Sequence, residues 1–478
     1  MLAYFKAHRT ALLITIGYGM VFSLMSLVNH YCLRSYGYDL GIYHHGLYSY
    51  AHLKPHIFTL AMAGEPFNHL GVHFSPIVAL HAPFYYLFGS YTLLIFQVLF
   101  ILFGGWGVYL YAKERLDGIL PQLILIFFFS MWGIYSALAQ DWHANVIGAM
   151  LVPWFILFFE RGEKLTTIAV FGLILLCKEN MAIWMAAIVL GLGLKHLLEK
   201  DGKQNWSFTV SLFVISIGYF AVIQYLVMPL FNLKGLSNHL GNYSQLGSGT
   251  TSILSSILSD PRQIFLLMFE SPDGDAALSR FKTELHFMVL VSGGIAAIYR
   301  PHFLIMLAPI YAQKMLSSLP RHWGILFHYS IEFAPIIALA MVEWLQHLKF
   351  SKLRVPIAIL FISTATFFNW NPIRMNMRVF KASHYHTTLD LKAIYNALEM
   401  IPRNASVCAS NPLVPHLAER DKIYIFPKVR DAEYIALLKQ GRPTWPLEEE
   451  SFMQKMEEAR ESASEVIYED TYLLILKR

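Results

Sequence analysis

The chain has 478 residues, of which 56% are hydrophobic, 15% aromatic and only 14% charged, whereas soluble proteins carry about 25% charged residues. Long apolar runs recur with short polar breaks between them, which predicts a multi-pass membrane protein. The formal net charge of +5 is small and the basic residues lie in short loops, so nucleic-acid binding is not expected. Three cysteines form no metal-spaced motif and are too few for a disulfide framework: Cys32, Cys177 and Cys408.

Apolar runs long enough to cross a bilayer, about 17–25 residues each, follow one another along the chain. The first run, 11–28, follows a basic N-terminal stretch, as a secretory signal would. No clear small-residue cleavage site follows it, so we interpret it as a retained anchor and not as a cleaved signal. About eleven spans are predicted, at 11–31, 91–112, 121–139, 143–159, 164–177, 181–197, 206–230, 284–299, 302–317, 325–346 and 353–369.

The run 74–88, FSPIVALHAPFYYLF, is short and contains two prolines and a histidine. Cytoplasmic loops of membrane proteins are enriched in lysine and arginine. If the N-terminus is cytoplasmic and 74–88 lies at the outer interface instead of crossing, every later basic loop falls in the cytoplasm: AKERL, ERGEK, KHLLEKDGK, YRPH and HLKFSKLR. We therefore predict interfacial helices in a first outer loop, 34–90, of an inner-membrane (cytoplasmic-membrane) protein whose C-terminus lies outside.

Two further outer segments are predicted. Residues 231–283 form a polar loop rich in Gly, Ser and Asn. Residues 376–478 differ in composition from the membrane part, 1–375. They show a helical period before Pro402 and are predicted to form short buried strands at ASVCAS, KIYIF and EYIALL, a helix at EESFMQKMEEARES and a final hairpin. The expected fold is an all-α polytopic membrane domain followed by a small α/β extracytoplasmic domain.

The same sidedness brings ionisable side chains to the outer face. Such groups are costly beside apolar spans and therefore usually have a function. A carboxylate between apolar walls can accept a proton, and a lysine or a divalent metal can neutralise a phosphate leaving group. The combination predicts transfer from a lipid-phosphate donor whose tail stays in the bilayer. The residues are Asp39, His44, His45, Glu65, His69, His73, Asp141, His143, Lys178 and Glu179.

Some of these residues have a structural alternative. Lys178 and Glu179 would also suit an internal ion pair that locks two helices. His44 and His45 diverge by about 100° on a helix, so only one of them can line a site. His69 and His73 would share one helical face, a spacing that suits metal ligands.

Several motifs occur in an order that resembles a bacterial membrane family known as domain of unknown function 2079, over nearly the whole chain. They are YDLGIYHHGLY, HLGVHFSPIVALHAPFYYLFGSYTLLIFQVL, DWHAN, CKEN and, near the C-terminus, IPRNASVCASNPLVPHLAERDKIYIFP.

A broader resemblance concerns function. An aspartate in the first outer loop, interfacial helices before the second span and an acidic residue at the next outer turn are similar to the GT-C glycosyltransferase superfamily, whose members use polyprenyl-phosphate sugars as donors. The resemblance implies a GT-C-like fold in which Asp39 deprotonates the acceptor. It also implies donor and supporting roles: Lys178, His143 and His73 at the donor phosphate, Asp141 with His143 at a divalent metal, and Glu179, His44, Tyr43 and Trp142 in support.

Asp39 stands alone, whereas GT-C enzymes often carry paired acidic residues in this loop, so the need for a metal stays open. Tyr43 and Trp142 suit stacking on a sugar and are equally common as interfacial anchors. The expected partners are a lipid-linked sugar donor, membrane lipids and an acceptor that the sequence does not identify.

Two alternatives belong to other classes. A lipid or solute transporter or flippase would show internal repeats and helix breaks at mid-membrane depth. A non-catalytic subunit of an envelope assembly would keep the fold without the chemistry, which the lone Asp39 allows.

Overall fold

The computed structural model describes residues 6–62, 65–199, 205–231, 239–370, 378–440 and 444–478. Most of them are helical. Eight helical stretches among the described residues are long and apolar enough to cross a membrane: Arg9–Tyr31, Pro76–Lys113, Leu120–Ala139, Met181–Glu199, Trp206–Phe231, Ala276–Tyr299, Pro320–His347 and Ser351–Asn369. The predicted spans 143–159, 164–177 and 302–317 coincide with shorter helices of 17, 12 and 14 residues.

The helices of the membrane domain are numbered here in chain order. They are α1 Arg9–Tyr31, α2 Ile42–Ala51, α3 Ala82–Phe88, α4 Thr92–Lys113, α5 Leu120–Phe129, α6 Trp132–Ala139, α7 Ala144–Glu160, α8 Lys164–Leu175, α9 Met181–Glu199, α10 Trp206–Val222, α11 Met228–Phe231, α12 Thr250–Ser259, α13 Pro261–Leu267, α14 Ala276–Val289, α15 Ile295–Tyr299, α16 His302–Met315, α17 Pro320–Trp323, α18 Phe333–His347 and α19 Arg354–Trp370.

The first loop forms the predicted short helices. Residues Pro76–His81 make a tight 3₁₀ segment that leads into α3. Gly89 has a positive φ of 50°, a conformation that glycine adopts without strain, and it separates α3 from the long helix α4. The hydroxyl of Tyr86 on α3 donates to the carbonyl of Ala51 at the end of α2, so α3 is tied to the loop itself.

Two predicted spans, 121–139 and 325–346, coincide with stretches long and apolar enough to cross a membrane but are interrupted. The run 121–139 is split between Ser130 and Met131, where the backbone is extended. The carbonyl of Ser130, released by this break, accepts the side-chain amide of Asn369 at 2.6 Å, which satisfies it inside the apolar bundle. The run 325–346 becomes helical (α18) only at Phe333, after a 3₁₀ turn at His328–Glu332.

The segment 231–283 is more ordered than predicted. It contains α12 and α13, and α14 begins at Ala276 instead of residue 284. Apolar residues of α12 and α13 pack around Leu246, Leu267 and Leu316, which explains why this polar stretch still folds. Residues 232–238 of this predicted loop lie outside the described residues.

The predicted C-terminal α/β region is confirmed as a five-stranded sheet. Its strands are β3 Val407–Ala409, β4 Ile423–Ile425, β5 Tyr434–Leu438, β6 Glu465–Glu469 and β7 Leu473–Lys477, and a two-stranded ribbon in the first loop contains β1 Ile57–Phe58 and β2 Phe67–Asn68. The sheet order is β4-β3-β5-β7-β6, with β3 parallel to β4 and β5, and β7 antiparallel to β5 and β6. The helices here are α20 Ala382–Tyr385, α21 Leu391–Leu398, α22 Val414–Leu417 and α23 Glu449–Glu461.

The sheet alternates its side chains between two apolar layers. One face packs against α23 through Cys408, Leu437 and Leu474. The other face forms a single core with α21 and with apolar residues of the first loop, among them Ile42 and Leu60. The first loop is therefore part of the C-terminal core as well as of the membrane domain. The predicted domain boundary between 375 and 376 lies outside the described residues.

Candidate functional site

Asp39 lies in a short, wide helical turn, Gly37–Gly41, directly before α2. The carboxylate of Asp141, at the corner between α6 and α7, accepts the backbone N–H of Tyr36 at 2.7 Å and of Leu40 at 3.4 Å. Asp141 thus holds both ends of the turn that carries Asp39. The two predicted acidic residues are brought together, although they lie 102 positions apart in the sequence.

The two carboxyl groups titrate as a neighbouring pair. Burial raises the pKa of Asp39 to about 6, and the positive charge of Arg321 acts in the opposite direction. Burial, followed by the charge of Asp39, raises the pKa of Asp141 well above its usual range, while the two backbone N–H groups lower it. Near neutral pH, Asp39 is therefore the carboxylate of the pair and Asp141 keeps its proton longer.

Tyr43 and Trp142 form one wall beside this pair. Their rings are 4.7 Å apart and meet edge to face, and Trp142 is fully buried. Burial is the main reason that the pKa of Tyr43 is raised, and the negative charges of Glu179 and Asp39 act in the same direction. Tyr43 therefore lies near the carboxylates of Glu179 and Asp39. The structure joins the predicted residues Tyr43 and Trp142 as packing partners.

His143 and Lys178 lie on the other side of the corner. The ring of His143 stacks on His328 with centroids 3.3 Å apart, and its backbone N–H is held by the side chain of Gln97. Burial, followed by the charge of Lys178, lowers the pKa of His143 to about 3, so the imidazole is neutral at physiological pH. Lys178 forms no ion pair within 4 Å among the described residues, which argues against the predicted alternative of a Lys178–Glu179 lock.

Glu179 and His73 form a contact between the CKEN corner and the first loop. Their closest atoms, Oε1 and Nδ1, are 3.3 Å apart, and the other carboxylate oxygen accepts the backbone N–H of Phe74 at 3.0 Å. These bonds hold the end of α8 against the segment that leads into α3. Glu179 therefore supports the loop that closes over the cluster.

The segment 314–332 supplies polar residues that the sequence analysis did not select. Arg321 and Tyr329 lie in the electrostatic neighbourhood of Asp39. The buried Lys314 pairs with Glu332 at 2.5 Å, and Glu332 also accepts from Asn145 at 3.4 Å. Lys314 and Glu332 lie inside the apolar runs 302–317 and 325–346, respectively. Charged residues in such runs usually have a function, so they were the sequence signal that could have identified this segment as part of the site.

His44 has a different place from the one predicted. Its Nδ1 lies 2.8 Å from the carbonyl of Pro415 and its Nε2 3.4 Å from Glu419, both in the C-terminal domain. His45 is also buried, packed edge to face against His56. These imidazoles belong to the interface between the first loop and the C-terminal domain.

The described part of the chain contains no cluster of side chains arranged like a metal site. Among the described residues, no three His, Cys, Asp or Glu side chains lie together in a way that could hold a metal ion. His69–Gly71 is a single 3₁₀ turn and not the longer helix that the spacing suggested, although the rings of His69 and His73 still lie near each other, with centroids 6.0 Å apart. A metal bound by Asp141 and His143 stays a prediction.

Two cavities of the described structure are lined by other residues. One, of about 470 Å³, is an apolar groove between α1, α5 and α19 that contains Tyr18, Ser130 and Asn369. The other, of about 680 Å³, lies beside α2 and α3 and contains Tyr50 and Tyr86.

Comparison with solved structures supports the predicted fold. ArnT from Cupriavidus metallidurans bound to undecaprenyl phosphate has a TM-score of 0.53 at 12% identity, with 97% of each chain covered. The apo state of ArnT from the same organism has a TM-score of 0.50 at 11% identity, with 98% of each chain covered. At this identity the likeness shows the fold alone, and that fold is GT-C-like, as predicted.

Sequence comparison adds the family. No curated protein matches the chain significantly. Residues 29–470 match the model of the family described as "Predicted membrane protein (DUF2079)", and the chain belongs to this family.

Proposed function

We propose that this protein is a membrane glycosyltransferase that moves a sugar from a polyprenyl-phosphate donor to an acceptor hydroxyl, with Asp39 as the general base. The observation that carries the proposal is the state of Asp39. Its carboxylate has no hydrogen-bond or ion-pair partner among the described residues, its pKa is raised to about 6, and the positive charge of Arg321 acts on it. A base poised near the working pH is what proton abstraction requires.

The fold likeness supports the choice of donor. ArnT binds undecaprenyl phosphate in the solved complex, and its chain and this one cover each other almost completely. A polyprenyl chain can stay in the bilayer while its phosphate reaches the end of the bundle where Asp39, Lys178 and Arg321 lie. We place this end outside the cell, with a cytoplasmic N-terminus and an inner-membrane location, because the basic loops cluster at the other end.

In the proposed reaction, the acceptor hydroxyl gives its proton to Asp39 as its oxygen bonds to the anomeric carbon of the sugar. The bond from that carbon to the phosphate oxygen breaks, and polyprenyl phosphate leaves with the electron pair. Lys178 neutralises the charge that develops on the phosphate, and the imidazoles of His143 and His73 bind its oxygens. Arg321 holds the pKa of Asp39 low enough for it to be ionised before the acceptor binds.

The direct test compares wild type with Asp39→Asn, both as full-length protein in lipid nanodiscs. Polyprenyl-phosphate donors with different labelled sugars are offered together with envelope glycolipids and glycans, and release of polyprenyl phosphate is measured. We expect turnover in wild type and a loss of at least about 100-fold in Asp39→Asn, because the amide has a similar shape but cannot take the proton.

Glu65→Gln is the matched control, since Glu65 is an exposed carboxylate of the same loop and should keep full turnover. Equal turnover in Asp39→Asn would remove the proposed base. Donor binding without turnover in every variant would favour the non-catalytic subunit. Transport of the labelled lipid across liposomes would favour a carrier, for which the helix break at Ser130–Met131 would be the relevant feature.

A further inference from the structure

The turn that carries Asp39 is held between two parts of the molecule. On the membrane side, Asp141 accepts the N–H groups of Tyr36 and Leu40. On the opposite side, the C-terminal domain supplies Asn411, whose side-chain oxygen lies 2.8 Å and backbone oxygen 3.1 Å from the N–H of Gly37. The backbone of the turn is thus fixed by acceptors from two distant regions of the sequence.

The contact on the C-terminal side depends on glycine. A β-carbon placed on Gly41 would lie 2.9 Å from Cγ1 of Val414, while its next neighbours are at 3.6 Å or beyond. A β-carbon on Gly37 would lie 3.0 Å from both Val414 and Ile425. Gly41 has an ordinary helical φ of −60°, so what requires glycine there is the close approach of Val414 and not the backbone conformation.

Other contacts fix the C-terminal domain on the first loop around this point. The hydroxyl of Thr59 donates to the carbonyl of Ile423 at 2.6 Å, and the hydroxyl of Tyr395 donates to the carbonyl of Tyr31 at 2.9 Å. Apolar residues of both parts form one core beneath them. A shift of the domain would therefore move the atoms that touch the turn.

We propose that the C-terminal domain sets the conformation of the Asp39 turn, with Asn411 and Val414 as positioning residues for the base. This inference rests on the proposed function for the role of Asp39, while the clamp itself is a property of the folded chain. In this arrangement the C-terminal domain is part of the active site without touching the reacting atoms. Displacing it should lower turnover and leave donor binding intact.

The test uses full-length protein in nanodiscs and two readouts, backbone hydrogen exchange of peptides that contain residues 36–41 and steady-state kinetics. In Gly41→Ala we expect exchange about ten-fold faster and kcat about ten-fold lower at unchanged donor KM. The double variant Gly41→Ala with Val414→Ala removes the clashing methyl group and should recover most of both. Asn411→Ala should show about a three-fold change, because the backbone acceptor of residue 411 remains, and Asn411→Asp, which keeps an oxygen there, should be closer to wild type.

Tyr395→Phe is the comparison variant, since it removes a hydrogen bond between the C-terminal domain and the end of α1 without touching the turn, and exchange at residues 36–41 should change less in it than in Gly41→Ala. Faster exchange in Gly41→Ala that the second substitution reverses supports the clamp. Unchanged exchange at residues 36–41 in both Gly41→Ala and Asn411→Ala would overturn it, even if wild type transfers sugar. If wild type shows no transfer but exchange responds as expected, the clamp stands and the proposed function fails.

Discussion

The two ends of the helical bundle differ in how completely their charged side chains are paired. At the end away from the first loop, glutamates and cations from several helices are paired with one another: Arg115, Glu160, Lys195, Glu199, Arg300 and Glu343. At the first-loop end, Lys314 and Glu332 are also paired, but the half-buried Asp39 and Lys178 and the exposed Arg321 make no ion pair within 4 Å among the described residues. A buried charge with its partners in place contributes to structure, whereas partly exposed charges without a partner are accessible to a ligand.

The largest expected effect comes from disrupting the ion-pair network at the end of the bundle away from the first loop. Glu343 is almost fully buried and contacts Lys195 at 2.7 Å, Arg300 at 2.8 Å, the hydroxyl of Tyr111 at 2.7 Å and His302 at 3.2 Å. Glu343→Ala removes the carboxylate that Lys195 and Arg300 share and leaves each of them with a single partner, Glu160 or Glu199, so it should destabilise the fold by about 3–5 kcal/mol. The thermal midpoint in a fixed detergent measures the change.

Glu163→Ala is the control for this variant, because Glu163 lies at the same end but is exposed, with a single contact to Arg161 at 3.5 Å. It should cost at most about 1 kcal/mol. Similar midpoints for the two variants would mean that the buried network does not stabilise the bundle.

The next effect concerns the first-loop end and should appear in function instead of stability. Lys178→Met removes a cation that forms no ion pair in the described part of the chain, so the thermal midpoint should stay within a few degrees of wild type. Donor kcat/KM should fall about 100-fold, the loss typical of one electrostatic contact to the transition state. Lys164→Met, at the opposite end of helix α8 from the turn that contains Lys178, should leave both quantities unchanged. A large loss of stability in Lys178→Met would show instead that Lys178 has a structural role.

The contrast also separates what the sequence predicts from what it does not. Apolar periodicity and the basic loops correctly predicted a helical membrane protein with a small C-terminal sheet, since these features follow from local composition. The sequence predicted only that Asp39 and Asp141 lie on the same side of the membrane, and not that Asp141 holds the turn that carries Asp39. The place of His44 was missed, because residues 415–419 contact it from more than 370 positions away. Arg321 was missed because it looked like an ordinary basic residue of an outer turn.

The pH dependence of turnover is a smaller effect that sharpens the role of Asp39. A general base acts in its deprotonated form, and burial raises the pKa of Asp39 to about 6. Turnover should therefore fall about ten-fold per unit as the pH drops below 6, and level off above about 7. Rates measured from pH 4.5 to 8 at low and at saturating donor would show this limb, with thermal midpoints at each pH to exclude unfolding. A flat profile across this range would contradict Asp39 as the base.

The smallest effect distinguishes a positioning role of Asp141 from a metal-binding one. Asp141→Asn keeps an oxygen for the N–H groups of Tyr36 and Leu40 and resembles the protonated acid that burial favours, so turnover should fall only a few-fold. Asp141→Ala leaves both N–H groups unsatisfied and should lose about 10- to 100-fold, the equivalent of about 1–3 kcal/mol. Turnover measured with and without a chelator completes the comparison. If Asp141→Asn is as inactive as Asp141→Ala and wild type is inhibited by chelation, Asp141 acts as a charged ligand to a cation. Loss confined to the alanine variant, with chelation harmless, means that its carboxyl group shapes the turn on which Asp39 sits.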